Sequence, residues 1–407
     1  MLIRKIKRDE ILESKKISTV AFEFACPDLP QNNETLVQSI ESNPPSSADE
    51  HWQERYVAFD DAGKMISTMA VIPLTAYFDG HEVPINGIGD VATLPNYRRG
   101  GAIRQSFVLA LADMYERGDV FSYLYPFSYY FYRKFGYETA CETVWWRIPL
   151  AGIPKYGTSH TFEMYEPNSD ISAFEEAYKL FAEPINLMLK RDEVLWKRRV
   201  TGFSPYNSNQ WSFVCRDATG APKGYFIYQA ETLHSKKHMV LRDFAFADYN
   251  ALCAMLELLA SFASQYEFAD IPLPPHISLT CLSPELHYEH LARKLSFIGM
   301  LRVVNIEKAL RLAKFKGSGR AVIAVEDASL PQNTGVYAIS FGGGETEVEL
   351  TEEAPDLETD IQNFSRLLIG GLDLAATELI PKIKINGNIE NLEKIFYRKK
   401  LWINDYF

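Results

Sequence analysis

One succession of local structures occurs twice in the chain. Residues 55–117 predict a hairpin, a further strand and a helix, with turns at Asp60-Asp61-Ala62-Gly63 and Asp79-Gly80. Residues 211–266 predict the same order, with a turn at Thr219-Gly220. Such self-similarity indicates an internal duplication. The chain must therefore fold into at least two related domains that mix strands and helices.

A third segment follows the duplicated pair. The chain has 407 residues, and about 150 residues per domain gives about 2.7 domains. Residues from Phe297 onward predict strands, including one over 302–308, and a last helix over 389–401 with Asn388 as its N-cap. We predict an α/β (α+β) fold with domains at 1–148, 149–296 and 297–407.

The charge of the chain excludes some partners. Lys and Arg number 42 and Asp and Glu 53, so the formal net charge is −11. An acidic surface repels phosphate backbones and attracts cationic molecules, so we expect no nucleic-acid partner and a cationic substrate. The sequence has no apolar run of membrane-span length, and its five cysteines stand singly. We expect a cytoplasmic protein without membrane contact.

The stretch from Gly89 to Arg104 carries the strongest chemical signal. It predicts a strand, a turn at Pro95, the run Arg98-Arg99-Gly100-Gly101 and then a helix. A helix N-terminus offers unpaired N–H groups and a partial positive charge to an anion. Glycines let a phosphate approach the backbone, and arginines add full charges. The pattern is neither a Walker loop nor a Rossmann fingerprint.

This loop resembles the pyrophosphate-binding loop of the GCN5-related N-acetyltransferases (GNAT), Arg/Gln-x-x-Gly-x-Gly/Ala. Arg98 and Gly101 match that motif, whereas Ile103 departs from its last position. Together with the aromatic run Tyr125–Tyr137, the duplication and the terminal Phe407, the chain resembles the Eis (enhanced intracellular survival) branch over nearly its whole length. That branch also carries an aliphatic residue at the position of Ile103.

The resemblance implies an architecture and an assembly. The first domain would be a GNAT acetyltransferase domain, the second a degenerate copy without the phosphate loop, and the third a sterol-carrier-like domain. A hexamer is also implied. Acetyl-CoA would be the co-substrate, and no metal is expected, although His287 and His290 stand three residues apart.

The resemblance also assigns roles to particular residues. Tyr132 would be the general acid that protonates the departing thiolate, and the terminal carboxylate of Phe407 the base that deprotonates the amine. Amide formation from a thioester needs both groups, and a tyrosine with a pKa near ~10 can donate at neutral pH. The acetyl-CoA contacts would be Val91, Ala92, Thr93, Arg98, Arg99, Gly100, Gly101, Ala102, Ile103, Arg104, Phe127 and Ser128.

Two alternatives remain open from the residues themselves. Only the resemblance selects Tyr132 over Tyr129, Tyr130 and Tyr137, since aromatic residues crowd this segment. Strand alternation places Asp90 on one face with Ala92 and Leu94, so Asp90 could accept the proton or bind a cationic substrate.

We expect an acetyl-CoA-dependent N-acetyltransferase that acts on primary amines by direct transfer in a ternary complex. By resemblance, the acceptors would be aminoglycosides, polyamines or lysine side chains. The alternative is a non-catalytic sensor that binds CoA or a lipid, suggested by the sterol-carrier-like segment and the ligand-free second copy.

Overall fold

The structure, a computed structural model, describes residues 1–24, 26–233, 236–280, 282 and 292–407. His287 and His290 lie outside these ranges. The strands are β1 Leu2–Lys5, β2 Arg55–Phe59, β3 Met65–Phe78, β4 His81–Thr93, β5 Phe121–Leu124, β6 Glu138–Pro149, β7 Thr161–Met164, β8 Gln210–Arg216, β9 Pro222–Leu233, β10 Lys236–Phe246, β11 Phe268–Leu273, β12 Ala292–Val303, β13 Gly319–Glu326, β14 Gly335–Gly342, β15 Glu345–Leu350, β16 Leu357–Asp360 and β17 Ile383–Ile385.

The α-helices are α1 Ile11–Phe22, α2 Asn33–Ser42, α3 Ser47–Glu50, α4 Ala102–Arg117, α5 Tyr129–Arg133, α6 Ser172–Ala182, α7 Glu193–Trp196, α8 Tyr249–Ser261, α9 Ile306–Leu312, α10 Ile361–Leu368 and α11 Ile389–Ile395. Within the described ranges, no helix is long and apolar enough to cross a membrane.

The chain forms two compact units that are not continuous in sequence. Unit 1 contains Met1–Ala140, Gly299–Lys399 and Tyr406–Phe407, and unit 2 contains Cys141–Ile298 and Lys400–Asp405. The predicted domain limits at 148/149 and 296/297 fall within strands β6 and β12. The three predicted ranges stay a prediction, and the compact units divide the chain differently.

The first sheet of unit 1 has the order β1-β2-β3-β4-β5, and residues 300–303 of β12 complete it beside β5. Strand β4 pairs with β3 antiparallel and with β5 in parallel. Helix α1 buries Ile11 and Ile17 against one face, and α4 buries Phe107 and Leu111 against the other. The predicted hairpin, long strands and helix of this region are confirmed.

The second sheet of unit 1 has the order β15-β14-β13-β16-β17. The predicted strand over 302–308 was wrong beyond Val303, because the side chain of Asn305 accepts a hydrogen bond from Lys308 N and starts helix α9. The last helix ends at Ile395 instead of continuing to residue 401. Asn388 does occupy its N-cap position, but its side chain donates to the Arg320 carbonyl instead of capping the helix.

The sheet of unit 2 has the order β6-β11-β10-β9-β8-β7. Its hairpin β8–β9, strand β10 and helix α8 follow the order of unit 1, and β10 pairs with β11 in parallel as β4 does with β5. The structure therefore confirms the duplicated order. The sequence predicts residues 145–160 as a strand exit and a linker between domains. Of these, residues 145–149 form the end of β6 and pair with β11.

A buried ionic cluster lies in unit 2. The guanidinium of Arg191 contacts the carboxylates of Asp243 at 2.6 Å and Asp405 at 2.9 Å, and Arg199 adds a contact to Asp405 at 3.1 Å. Burial by itself would raise the pKa of Asp405, but the charges of Arg191 and Arg199 outweigh it and lower that pKa. The cluster therefore needs Asp405 in its ionised form.

Removal of this carboxylate should destabilise the fold. Asp405→Ala leaves buried positive charge uncompensated, so the free energy of unfolding at pH 7 should fall by about 3 kcal/mol. Because the folded-state pKa is lowered, this stabilisation is complete above the unfolded-state pKa of about 3.9 and is lost as the pH falls through the lower folded value. Urea denaturation at pH 7 and at pH 3 measures both effects.

The matched control is Asp270→Ala, which removes a partner of the partly exposed Arg147. Exposed pairs contribute about 1 kcal/mol or less. An Asp405→Ala variant with the wild-type midpoint at pH 7 would contradict the role of the cluster.

Candidate active site

Strands β4 and β5 run side by side and then part. Their parallel register extends from the pair Ile85–Phe121 to the pair Ile88–Leu124. Strand β4 continues to Thr93, still paired with β3, across a register shift at Asp90. In the part of the chain that the structure describes, the other edge of β4 has no strand partner after Ile88. Its backbone N–H groups over 91–93 can therefore meet a ligand oxygen.

The register shift also decides which side chains of β4 lie on each face of the sheet. Ile88 and Val91 pack in the core under α4, whereas Ala92 and Leu94 pack in the core under α1. Asp90 has a φ of 49°, in the left-handed region. The bulge explains how Ile88 and Val91, three residues apart, share one face.

A turn at Pro95–Tyr97 leads from β4 to helix α4. Gly101 is the N-cap of α4 with a φ of 87°, and no side chain of the described residues caps this end. A Cβ built on Gly101 would meet no atom within 4 Å. The first-turn N–H groups of this sixteen-residue helix have no partner within the helix, and the described residues leave the space beside Gly101 open, which favours an anion at this end.

The three arginines of the motif lie around this helix end. All three are exposed, and Arg98 Nη2 donates a hydrogen bond to the Ala21 carbonyl at 3.4 Å. Gly100 is exposed beside them, whereas Ala102 and Ile103 are buried. The predicted phosphate-binding residues are therefore together, and two of them also belong to the core.

The second copy differs at the equivalent helix start. Asp248 is the N-cap of α8, and its side chain accepts a hydrogen bond from Ala251 N at 2.9 Å. A carboxylate satisfies the helix end and repels phosphate. This contact gives a physical reason why unit 2 lacks a phosphate loop.

The structure separates the four tyrosines of the aromatic run. Tyr130 is 73% exposed and Tyr129 is 37% exposed, whereas Tyr132 and Tyr137 are buried. Tyr137 shares a 2.6 Å hydrogen bond with Ser122. Tyr132 lies on α5, and its ring contacts those of Phe107 and Phe127.

Two further features describe this helix. Ser128 caps α5 by accepting from Phe131 N at 3.3 Å, and Phe127 is 71% exposed. Burial raises the pKa of Tyr132 above its usual value, so its phenol stays protonated at neutral pH.

The last two residues pack on unit 1 at the point where β4 and β5 part. The ring of Phe407 lies so close to Gly87 that a Cβ there would overlap it. The Phe407 ring centroid is 5.9 Å from that of Tyr123, the partner of Gly87, and Tyr406 stacks on Tyr125 at 4.1 Å. The chain end is therefore docked on unit 1.

Phe407 and Tyr132 lie on opposite faces of the first sheet. Ile88 and Leu124 point into the α4 core, where Tyr132 also packs. Side chains alternate along a strand, so Gly87 and Tyr123 face the other way, toward Phe407. The two residues thus flank the parted strands from either side.

Asp90 already has partners in the structure. Its carboxylate contacts the guanidinium of the buried Arg55. Burial would raise the pKa of Asp90, but the charge of Arg55 and hydrogen bonds from Ser18 and Arg55 lower it. A carboxylate held in this way is a weak base. The substrate-binding role of Asp90 stays a prediction, beside a structural role for its ion pair.

Comparisons with known proteins agree with this fold. Residues 2–140 and 187–303 each match a family described as an acetyltransferase (GNAT) domain, and residues 306–404 match a sterol carrier protein domain. The chain is 23% identical over 346 residues to an uncharacterized N-acetyltransferase of Streptomyces avermitilis, which is 79% of each chain.

Solved structures share the architecture over their full lengths. A GCN5-related N-acetyltransferase of Anabaena variabilis has a TM-score of 0.84 at 23% identity, and Eis1 of Mycobacterium abscessus has 0.81 at 18%, each with 100% of both chains covered. The chain therefore consists of two GNAT acetyltransferase domains followed by a sterol carrier protein domain. These matches support an N-acetyltransferase function.

No metal site accompanies these features in the ranges that the structure describes. Among those residues, no group of three or more His, Cys, Asp or Glu side chains could hold a metal ion.

The packing of the chain end on Gly87 can be tested directly. Gly87→Ala places a methyl group where the Phe407 ring lies and should release the C-terminus. Carboxypeptidase digestion followed by mass measurement should then remove Phe407 faster from the variant than from the wild type. Gly387→Ala is the control, because its Cβ would meet no atom within 4 Å. Equal digestion of all three proteins would contradict the docking.

Proposed function

We propose that this protein is an Eis-like, acetyl-CoA-dependent N-acetyltransferase that transfers an acetyl group directly to a primary amine. One observation carries the proposal. The chain terminus packs on Gly87, where β4 and β5 part, on the face of the first sheet opposite the one that carries Tyr132. A site open between two strands, with a group on each face, suits a reaction between two bound substrates.

The cofactor site proposed here follows the anion chemistry of α4. The pyrophosphate of acetyl-CoA would bind the first-turn N–H groups, with Arg99 and Arg104 beside them. The thioester would lie along β4, where an N–H of the 91–93 segment can stabilise the oxyanion. Phe127 and Ser128 would border the acyl end of the cofactor.

The proposed chemistry needs one acid and one base. The amine nitrogen attacks the acetyl carbonyl, the C–N bond forms and the C–S bond breaks. The phenol of Tyr132 gives its proton to the departing sulfur, and the carboxylate of Phe407 takes a proton from the amine. We favour Phe407 over Asp90 as the base because Arg55 already holds the Asp90 carboxylate.

We infer that the acceptor is a cationic amine, of the aminoglycoside, polyamine or lysine type. The net charge of −11 supports this, since an acidic protein raises the local concentration of cations. A hexameric assembly and a cytoplasmic location, both expected from the sequence, belong to this proposal as well.

A sensor without turnover is the second candidate. The sterol carrier protein domain at 306–404 favours it. Such a protein would bind CoA or a lipid and release no thiol from acetyl-CoA in the presence of amines.

The general acid can be tested by removal of one oxygen atom. Tyr132→Phe should lower kcat on the order of a hundredfold, the usual scale for loss of a general acid, with acetyl-CoA affinity nearly unchanged. Thiol release measures kcat, and calorimetry measures the affinity. Tyr130→Phe is the control, because that ring is exposed. Turnover at the wild-type level in Tyr132→Phe would reject the acid role.

The terminal carboxylate has a separate test. One glycine added after Phe407 moves the carboxylate by one residue and should lower kcat on the order of tenfold or more, again without loss of acetyl-CoA binding. A matched control adds a glycine before Met1. Full activity in the extended chain would assign the base elsewhere, with Asp90 the first candidate.

The pH profile offers a further check on the acid. Because burial raises the pKa of Tyr132, the phenol stays protonated as the pH rises past its usual value of about 10. The kcat profile should therefore show no descending limb below that pH. A descending limb near pH 8 would point to another acid.

A further inference from the structure

The helix that carries Tyr132 ends at carbonyl groups held by distant parts of the chain. Arg302 Nη1 donates a hydrogen bond to the Phe135 carbonyl at 2.6 Å, and Gln362 Nε2 donates to the Arg133 carbonyl at 3.0 Å. Carbonyls at a helix C-terminus have no partner within the helix. Side chains from β12 and α10 therefore cap these two carbonyls, and Gly136 N also donates to the Arg133 carbonyl at 3.1 Å.

Arg302 is itself held firmly. Its side chain is fully buried and pairs with the equally buried Asp327. The Asp327 carboxylate also accepts hydrogen bonds from Leu330 N at 3.0 Å and Asn333 Nδ2 at 3.0 Å, and Arg302 Nη1 lies 3.0 Å from Ser329 Oγ. A buried charge pair with its hydrogen bonds satisfied is rigid.

The turn after the helix fits closely against this pair. Gly136 has a φ of 80°, and a Cβ there would lie 2.7 Å from Arg302 Nη1 and 3.0 Å from Ile361 Cγ2. Phe135 N donates in turn to the Tyr132 carbonyl at 2.9 Å. Two hydrogen bonds, through Phe135, thus lead from the Arg302 guanidinium to the backbone of Tyr132.

We propose that Arg302, fixed by Asp327, is the positioning residue that holds the phenol of Tyr132 in its place for proton transfer. This inference rests on the proposed role of Tyr132 as the acid. The sterol carrier protein domain, which contributes Asp327 and Gln362, would then serve the acetyltransferase site as a support for one short helix. Helix α5 has only five residues, so it depends on contacts outside itself.

A double-mutant cycle tests the proposal in the full-length protein. Arg302→Met removes the donor and keeps much of the side-chain length. Its kcat should fall on the order of tenfold to a hundredfold, while the KM for acetyl-CoA changes by less than about twofold. In a Tyr132→Phe background the same substitution should lower kcat by less than about twofold, because its target is already absent.

Two outcomes would overturn the proposal. An equal loss in both backgrounds would make Arg302 a general structural residue. A similar loss of kcat in Val322→Ala, the control, would trace the effect to instability of the second sheet, since Val322 is buried in β13. If Tyr132→Phe alone keeps full activity, the assignment of Tyr132 as the acid fails. That result differs from an equal loss of kcat on Arg302→Met in both backgrounds, which contradicts only the positioning role.

If Arg302→Met does not fold, Gln362→Leu provides a second test of the positioning role. Gln362 is only partly buried, so its loss should leave the protein folded. We expect a fall in kcat of about threefold that disappears in the Tyr132→Phe background. The same threefold loss in both backgrounds would contradict the positioning role.

Discussion

The separation of β4 from β5 after the pair Ile88–Leu124 is the constraint on which the rest of the site depends. The backbone N–H and C=O groups of a paired strand bond to its neighbours. Where a strand extends beyond the end of its neighbour, these groups are available to a ligand. The turn into α4, the aromatic helix α5 and the chain end all lie at this gap in unit 1. Each of them lies near the point where the pairing of β4 with β5 ends.

Unit 1 is built from three separate segments of the chain, and this has a direct consequence for the gap between β4 and β5. The far side of β5 is covered by residues 300–303, which are the last residues of the second GNAT match at 187–303. Arg302 therefore enters the core of unit 1 beside the turn at Gly136. A GNAT domain cut at residue 140 would lack this strand, both caps of α5 and the terminal Phe407. Segments from later in the chain thus complete the structure of the first GNAT domain.

The two GNAT copies differ at the start of one equivalent helix. Both place a helix directly after a strand of the sheet. In the first copy a glycine with positive φ leaves the helix end open, and in the second Asp248 closes it with a side-chain hydrogen bond. The difference is local, and the sequence shows it, because no glycine lies between Phe246 and helix α8.

The sequence by itself determined the duplication, the strand and helix order, and the glycine turn before α4, because turns, periodicity and glycine positions are local signals. It left Tyr132 undistinguished from its neighbours and placed a strand where α9 begins. Only the tertiary structure decided the burial of Tyr132, the pairing of Asp90 with Arg55, the docking of Phe407 and the caps from Arg302 and Gln362. The physical reason is that these contacts join residues distant in the chain, and no local pattern encodes which distant side chain will meet a given carbonyl or carboxylate.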